Sequence, residues 1–457
     1  MLLIYVPKLT NRIGYTINVV MRDILQTDFA ITADTETFKS HEEARLCYAP
    51  QPVEGCDVPF LKACGLLSAT TIEEQNTRCF KYKELPVLFP VFSNATALPF
   101  DPFASIFYML SRYEEYLPHL KDEHGRFVAT ESLAYRHGFL QTAVVDRWAL
   151  MVRDVIKERY PDTLFKERNY SFVQTIDIDA AYCYLHKGVF RTVMGFLRDG
   201  IHRRDIEAVR QRYRVLKGKE ADPFDTFDYI LSSSKPYLNR SVLIFFALMG
   251  DYGIYDKPAS PHNNEFRELL QHLGDYAKVG IHGSYYSATE PARLEREIQR
   301  LADILHRSIV RNRFHFLRFN LPTAYRNLVR QDILHDYTMG FAELPGFRSG
   351  TCSIVPFFDL SSDQESQLRL HPFMAMDTTF QKHMHVSPKE ATETLHALVD
   401  EVRAVNGTFS CIFHNQNLCE DFEWKGWRTV YEDLLGYATQ PLLTNSDSNT
   451  ITKGETE

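Results

Sequence analysis

The chain has 457 residues, 44% of them hydrophobic and 24% charged, a composition that fits a globular protein of two or three domains and excludes a disordered or fibrous one. Its net charge of −8 argues against a dedicated nucleic-acid binder, whose footprint would be strongly basic. The eight cysteines form no CxxC and no zinc-finger spacing, and the apolar run Met1–Val6 meets Pro7 and Lys8 too early for a signal peptide or a membrane span. Reduced thiols in a cytoplasmic protein are therefore expected.

Residues 1–165 read as a separate, smaller α/β domain of unknown role. Leu2–Val6 is predicted as a strand, Gly14–Leu25 has helical apolar spacing, and Val87–Phe89 is a short strand between Pro86 and Pro90. Asp101 before Pro102 gives an N-cap followed by proline at the first helical position, with Ala104, Phe107 and Leu110 on one face. The acids Glu114 and Glu115 at its far end are expected to pack on the second domain. A further helix, Asp146–Arg159, leads to the boundary at Pro161.

From 168 to 443 strands and helices alternate. Strands are predicted at Phe172–Ile178, Val242–Met249, Lys278–His282, Phe314–Phe319, Tyr337–Phe341, Phe373–Met376 and Phe409–His414. Helices such as Glu265–Leu273, Glu290–His306, Thr323–Arg330 and Pro388–Val405 fall between them. Seven strands separated by helices predict an α/β fold built as a barrel of parallel strands. The alternation is interrupted at 185–219, a helical insertion with many Arg and Lys, which suits weak contact with an anionic membrane surface or an anionic substrate. A solvated insertion packed on the barrel is the plainer alternative. The polar tail 444–457 is expected to be disordered.

The chemistry concentrates at strand ends. Thr175-Ile176-Asp177-Ile178-Asp179 closes an apolar, β-branched run with two alternate carboxylates that point the same way. Neighbouring like charges raise each other's pKa unless a cation lies between them, so the pair suits a metal site, with acids that cap the next helix or face water as the plainer alternative. His282-Gly283-Ser284-Tyr285, His315 and His414 end or occupy other strands. Imidazole with carboxylate is the ligand set of catalytic zinc and related divalent metals.

The order of Thr-x-Asp-x-Asp, His-Gly-Ser-Tyr, Gly346-Phe347-Arg348-Ser349-Gly350, Met376-Asp377 and Ile412-Phe413-His414 resembles a divergent branch of the polysaccharide deacetylases, the NodB-like carbohydrate esterase family 4. The resemblance covers 168–443, and 1–165 looks like an uncharacterised domain that precedes such barrels. It implies an imperfect seven-stranded barrel that hydrolyses the N-acetyl group of an N-acetylated carbohydrate with the help of a divalent metal, zinc foremost. In that pattern Asp177 is the base, Asp179 and His282 are metal ligands, and His414 is the general acid tuned by Asp377. The family's second motif supplies two histidines four residues apart, whereas here Tyr286 stands at the second place, and His315 is taken as the substitute ligand. Arg348 is matched to the arginine that orients the base, with Arg318 as competitor.

A glycosidase would need its two carboxylates on opposite sides of the scissile bond, about 5–9.5 Å apart, whereas Asp177 and Asp179 project in parallel. The alternative is a degenerate carbohydrate-binding or scaffold protein, which the incomplete second motif would also fit.

Overall fold

The computed structural model describes residues 1–440; the predicted tail, 444–457, lies outside the described residues. The fold is mixed α/β with three sheets. The first holds four parallel strands in the order β2-β1-β3-β4: β1 (Leu2–Tyr5), β2 (Phe29–Thr32), β3 (Arg45–Ala49) and β4 (Phe60–Lys62). A small hairpin, β5 (Phe80–Tyr82) and β6 (Leu85–Val87), follows.

The large sheet has nine strands: β7 (Ser171–Ile178), β8 (Ser241–Leu248), β9 (Lys278–Gly283), β10 (Arg311–Phe314), β11 (His335–Asp336), β12 (Val355–Asp359), β13 (Gln364–Leu370), β14 (Ala375–Met376) and β15 (Thr408–His414). Their order is β12-β13-β11-β10-β9-β8-β7-β15-β14, parallel throughout except for the hairpin β12/β13. The intervening helices make the parallel crossovers possible. β7 sits centrally, flanked by β8 and β15 and buried along nearly its whole length, and its buried polar residues Gln174 and Thr175 are hydrogen-bonded to Ser241 and the Cys411 carbonyl. Phe246 of β8 meets Tyr337, just after β11, with ring centroids 5.2 Å apart, although β9 and β10 lie between those strands. The sheet therefore curls strongly. The pairing runs from β12 to β14 without a described hydrogen-bonded closure, so the structure shows a curled, mostly parallel nine-stranded sheet with a hairpin at one edge and not the closed seven-stranded barrel that was expected.

Two predicted strands are displaced. Phe314–Phe319 was expected to be extended, but β10 ends at Phe314 and the backbone enters a tight turn in which Phe316 (φ 60°) and Leu317 (φ 52°) take left-handed conformations. Tyr337–Phe341 lies beyond β11 instead of forming a strand. The basic insertion is helical, as predicted, with helices Gly188–Leu197 and Ile206–Leu216. Its base is tied down by Asp222, whose carboxylate accepts the amides of Cys183, Tyr184 and Leu185.

One hydrophobic cluster runs from Leu2 in β1 through Phe103 and Trp148 to Ile176 and Leu435, so the two large sheets share a core. Among the described residues no helix is long and apolar enough to cross a membrane, and all eight cysteines are free thiols.

Candidate metal centre

The centre is assembled at the C-terminal edge of the parallel strands, where loops from successive strands converge. β7 holds Asp177 in its last turn of pleat and releases Asp179 just beyond its end. β9 places His282 on the same edge, β10 leads directly into His315, and β15 ends on His414. Three imidazoles thus face one carboxylate. The Nε2 atoms of His282 and His315 lie 3.2 and 3.5 Å from Asp179 Oδ1, and that of His414 lies 3.8 Å from Asp179 Oδ2. One ligand atom each from Asp179, His282 and His315 can be chosen so that all lie within 4.8 Å of one another.

The outer hydrogen bonds fix how these rings present themselves. His282 Nδ1 lies 2.9 Å from the carbonyl oxygen of Arg313, which only accepts, so the ring proton sits on Nδ1 and Nε2 offers its lone pair inward. His315 Nδ1 likewise faces Asp256 Oδ1 at 2.8 Å. Asp179 Oδ1 is buried and receives no hydrogen bond among the described residues. An oxygen lone pair facing nitrogen lone pairs requires a shared proton or a cation, so the donor set fits a divalent metal. Without a metal the proton takes that place. Burial opposes charge on His315, but Asp179 and Asp256 push its pKa up to about 10. Burial would also raise Asp179, yet His315 and His414 hold it well below the usual carboxylate range.

Asp177 and His414 flank this group. Asp177 Oδ1 accepts from Arg313 Nη1 at 2.7 Å, and the same nitrogen donates to Thr175 Oγ1 at 2.7 Å. Arg313 is wholly buried, with its guanidinium 4.5 Å from the Phe246 ring centroid. His414 Nδ1 lies 2.7 Å from Asp377 Oδ1, and Asp377 Oδ2 accepts the His414 amide at 2.8 Å and Asn417 Nδ2 at 2.9 Å. Burial works against a charged His414, but Asp377 and Asp179 push its pKa up to about 9.

The structure thus brings Asp177, Asp179, His282, His315, His414 and Asp377 together. Arg348 is elsewhere: its guanidinium clamps Glu115 at 2.8 and 2.9 Å and donates to the Gly340 carbonyl at 3.0 Å. The arginine on Asp177 is Arg313, so the assignment of Arg348 to the base is corrected. Arg318 is not at the base either, because it donates to the carbonyls of His124 and Tyr285. Tyr286 is 41% exposed beside Arg293 and Arg318 and does not line the cavity. Asp256 and Gln416, whose Nε2 lies 3.2 Å from Asp179 Oδ2, escaped the sequence reading because loop residues carry no periodic signal. Arg313 did carry one: in an extended strand it shares a face with His315, two residues on.

The cavity above these groups measures about 810 Å³ and has Tyr255, Phe316 and Trp424 in its walls. That volume is within the range of small-molecule sites.

Residues 2–161 match a family of unknown function (DUF7033). No curated protein matches the chain. Among solved structures, the chain is similar to a putative polysaccharide deacetylase from Mycobacterium smegmatis at 14% identity, covering 59% of this chain and 84% of that one with a TM-score of 0.38. It is similar to a probable polysaccharide deacetylase from Pseudomonas aeruginosa PAO1 at 13% identity, with 59% and 84% covered and a TM-score of 0.35. A 4-alpha-glucanotransferase from Thermococcus litoralis is similar at 12% identity, with 63% and 41% covered and a TM-score of 0.33.

Proposed function

We propose that the chain is a metal-dependent hydrolase that removes N-acetyl groups from a sugar or a polysaccharide precursor, working at one edge of an incomplete barrel of parallel strands. The observation that carries this reading is the inward set of Asp179, His282 and His315, with Asp177 and His414 on its flanks and each of those two held by its own partner. A divalent ion bound by Asp179, His282 and His315, zinc by the character of the ligands, would supply Lewis-acid polarisation of the acetamide carbonyl and acidify a nearby water. Arg313 holds Asp177 aimed through Oδ1, so that the other carboxylate oxygen can take the proton of the attacking water. The water oxygen then bonds to the carbonyl carbon. Departure of the sugar amine requires a proton on nitrogen, and His414, oriented by Asp377, delivers it from Nε2 as the C–N bond breaks and acetate is released. Glycoside cleavage fits less well, because Asp177 and Asp179 come from one strand edge and one pocket face.

Asp177→Asn and His414→Ala should retain bound zinc by elemental analysis. Each should lose about 10²–10⁴-fold in acetate release from an N-acetylated sugar, the usual effect of removing a general base or acid. Asp179→Ala and His282→Ala should lose the metal itself. Wild-type protein that carries zinc and frees no acetate from any N-acetylhexosamine polymer or carrier-linked precursor would instead be a carbohydrate-binding module.

A further inference from the structure

A second compartment of about 490 Å³ opens behind the first. Ala180, Cys183, Lys187, Arg198 and Lys257 line both, and Ala180 follows Asp179 directly, so the two spaces are continuous at the metal centre. One wall is the helix Gly188–Leu197 and another is the loop after β8.

The second space is cationic, and its cations are poorly answered. Arg198 and Arg212 share one carboxylate, Asp199, at 3.0 and 2.6 Å. Arg191 and Lys257 both lie over the Tyr252 ring, 5.0 and 4.8 Å from its centroid, and each spends a donor only on a backbone carbonyl, of Lys187 and Gly253 respectively. The Lys187 ammonium makes no hydrogen bond or ion pair among the described residues, although the residue is largely covered. The nearby Asp222 is occupied by four backbone amides. Residues 186–219 hold ten Lys and Arg against three Asp and Glu, a local charge of +7 in a chain whose total is −8. Uncompensated cations gathered in a concave space raise the local concentration of anions.

We propose that this compartment holds the phosphate or diphosphate of the substrate, so that the acetamido sugar reaching the metal centre is carried on a phosphoryl group. The proposal rests on the hydrolase reading above and narrows its substrate class. Phosphoryl linkage exists in two chemical forms, a nucleoside diphosphate sugar and a polyprenyl-linked sugar. The outer face of the same helix bears on the choice. Arg191, Met194, Gly195 and Arg198 face the compartment, while Val189 and Phe190 point outward, 84% and 78% exposed, followed by Ile201 at 71%. A basic segment with an exposed apolar strip suits a substrate delivered from an anionic bilayer, which places the polyprenyl-linked form first.

Inorganic diphosphate titrated calorimetrically into the full-length protein tests the compartment without any turnover. Wild type should bind it. Lys187→Met should weaken binding roughly tenfold or more, the worth of one charge-assisted hydrogen bond, and Lys257→Met should weaken it too. Asp179→Ala should bind like wild type, which separates the compartment from the metal centre. In turnover, an N-acetylhexosamine linked to a nucleoside diphosphate, or to polyprenyl diphosphate in vesicles of anionic lipid, should give a higher kcat/KM than a neutral oligomer. Lys187→Met should erase that advantage, and the better of the two carriers identifies the source. No diphosphate binding, equal binding by wild type and both lysine variants, or equal turnover of the neutral oligomer would overturn the proposal. Diphosphate bound through Lys187 with no acetate released from any substrate would overturn the hydrolase reading and keep the compartment.

Discussion

Asp256 determines how His315 faces the centre. Its Oδ1 takes the Nδ1 side of the ring at 2.8 Å and also accepts the Tyr285 amide at 3.0 Å, so the imidazole cannot turn away without breaking a buried pair. Outer partners of this kind set the tautomer and raise the basicity of a metal-binding ring. Asp256→Asn should therefore keep the fold and lose roughly 10–100-fold in zinc affinity, measured by competition with a chelator. Unchanged affinity would mean that His315 is not a ligand. The same pair explains what was legible at this scale. Asp177, Asp179, His282 and His414 stand at the ends of strands that read clearly, and so could be placed on one edge from the sequence. Arg313 was overlooked in favour of Arg348 because its contact with Asp177 crosses two intervening strands, β8 and β9, and depends on how sharply the sheet curls. A linear pattern does not encode curvature.

The helix Pro291–Leu305 has an inner stripe of Leu294, Leu301 and Ile304, and the stripe includes a carboxyl group, Glu297, which is 1% exposed. Glu297 Oε2 accepts the Ser284 amide at 3.0 Å, and its other oxygen meets the Ser284 hydroxyl, which fastens the helix under the loop that follows His282. Burial, with a smaller push from Asp256, raises its pKa to about 7, against the donors of Ser284 and the charge of Arg293. The folded state then binds this proton more tightly than the unfolded chain does. Stability from this group is complete below the unfolded value near 4.5 and falls as pH rises to about 7, by about 3 kcal/mol. Glu297→Gln should flatten that fall when urea midpoints are compared from pH 4.5 to 7.5. Parallel profiles for the two proteins would contradict it. Amphipathic helices were readable from their period: Thr323–Arg330 matches its predicted span, and Pro388–Ala404 stops one residue short of its own. Short strands were not readable. At Phe314–Phe319 an aromatic and apolar run looks extended, but Phe316 packs against His124, Tyr255 and Tyr285 only if the backbone turns through a left-handed conformation. Tertiary packing there overrides strand propensity.

At the scale of the whole molecule, the first 165 residues and the large sheet are joined by buried polar groups that each take a partner from the other part. Glu115, after the helix Pro102–Leu110, is gripped by Arg112 and Arg348, and these partners hold its pKa down to about 2 although burial opposes ionisation. Asp146 accepts Thr351 Oγ1 at 2.7 Å, the Cys352 amide at 3.1 Å and Arg168 at 3.1 Å. Arg12, 1% exposed, reaches Asp363 at 2.7 Å. Were the two parts to separate, these charges would lose their partners together with the shared apolar core, so partial unfolding should be too unfavourable to populate. Unfolding is therefore expected to be one transition. The three tryptophans allow the test in the full chain, since Trp148 lies in the first part and Trp424 and Trp427 in the second. Trp148→Phe and the double variant Trp424→Phe, Trp427→Phe each report one part by fluorescence, and their denaturant midpoints should coincide once each variant's stability is referenced to far-ultraviolet circular dichroism. Glu115→Ala leaves Arg348 buried without a carboxylate, while Arg112 keeps Glu114 at 2.9 Å, and should cost about 3–5 kcal/mol. Because the parts unfold together, that loss should move both tryptophan signals equally. A shift of the Trp148 signal alone, with the Trp424 and Trp427 signal unmoved, would mean that the first 165 residues unfold independently.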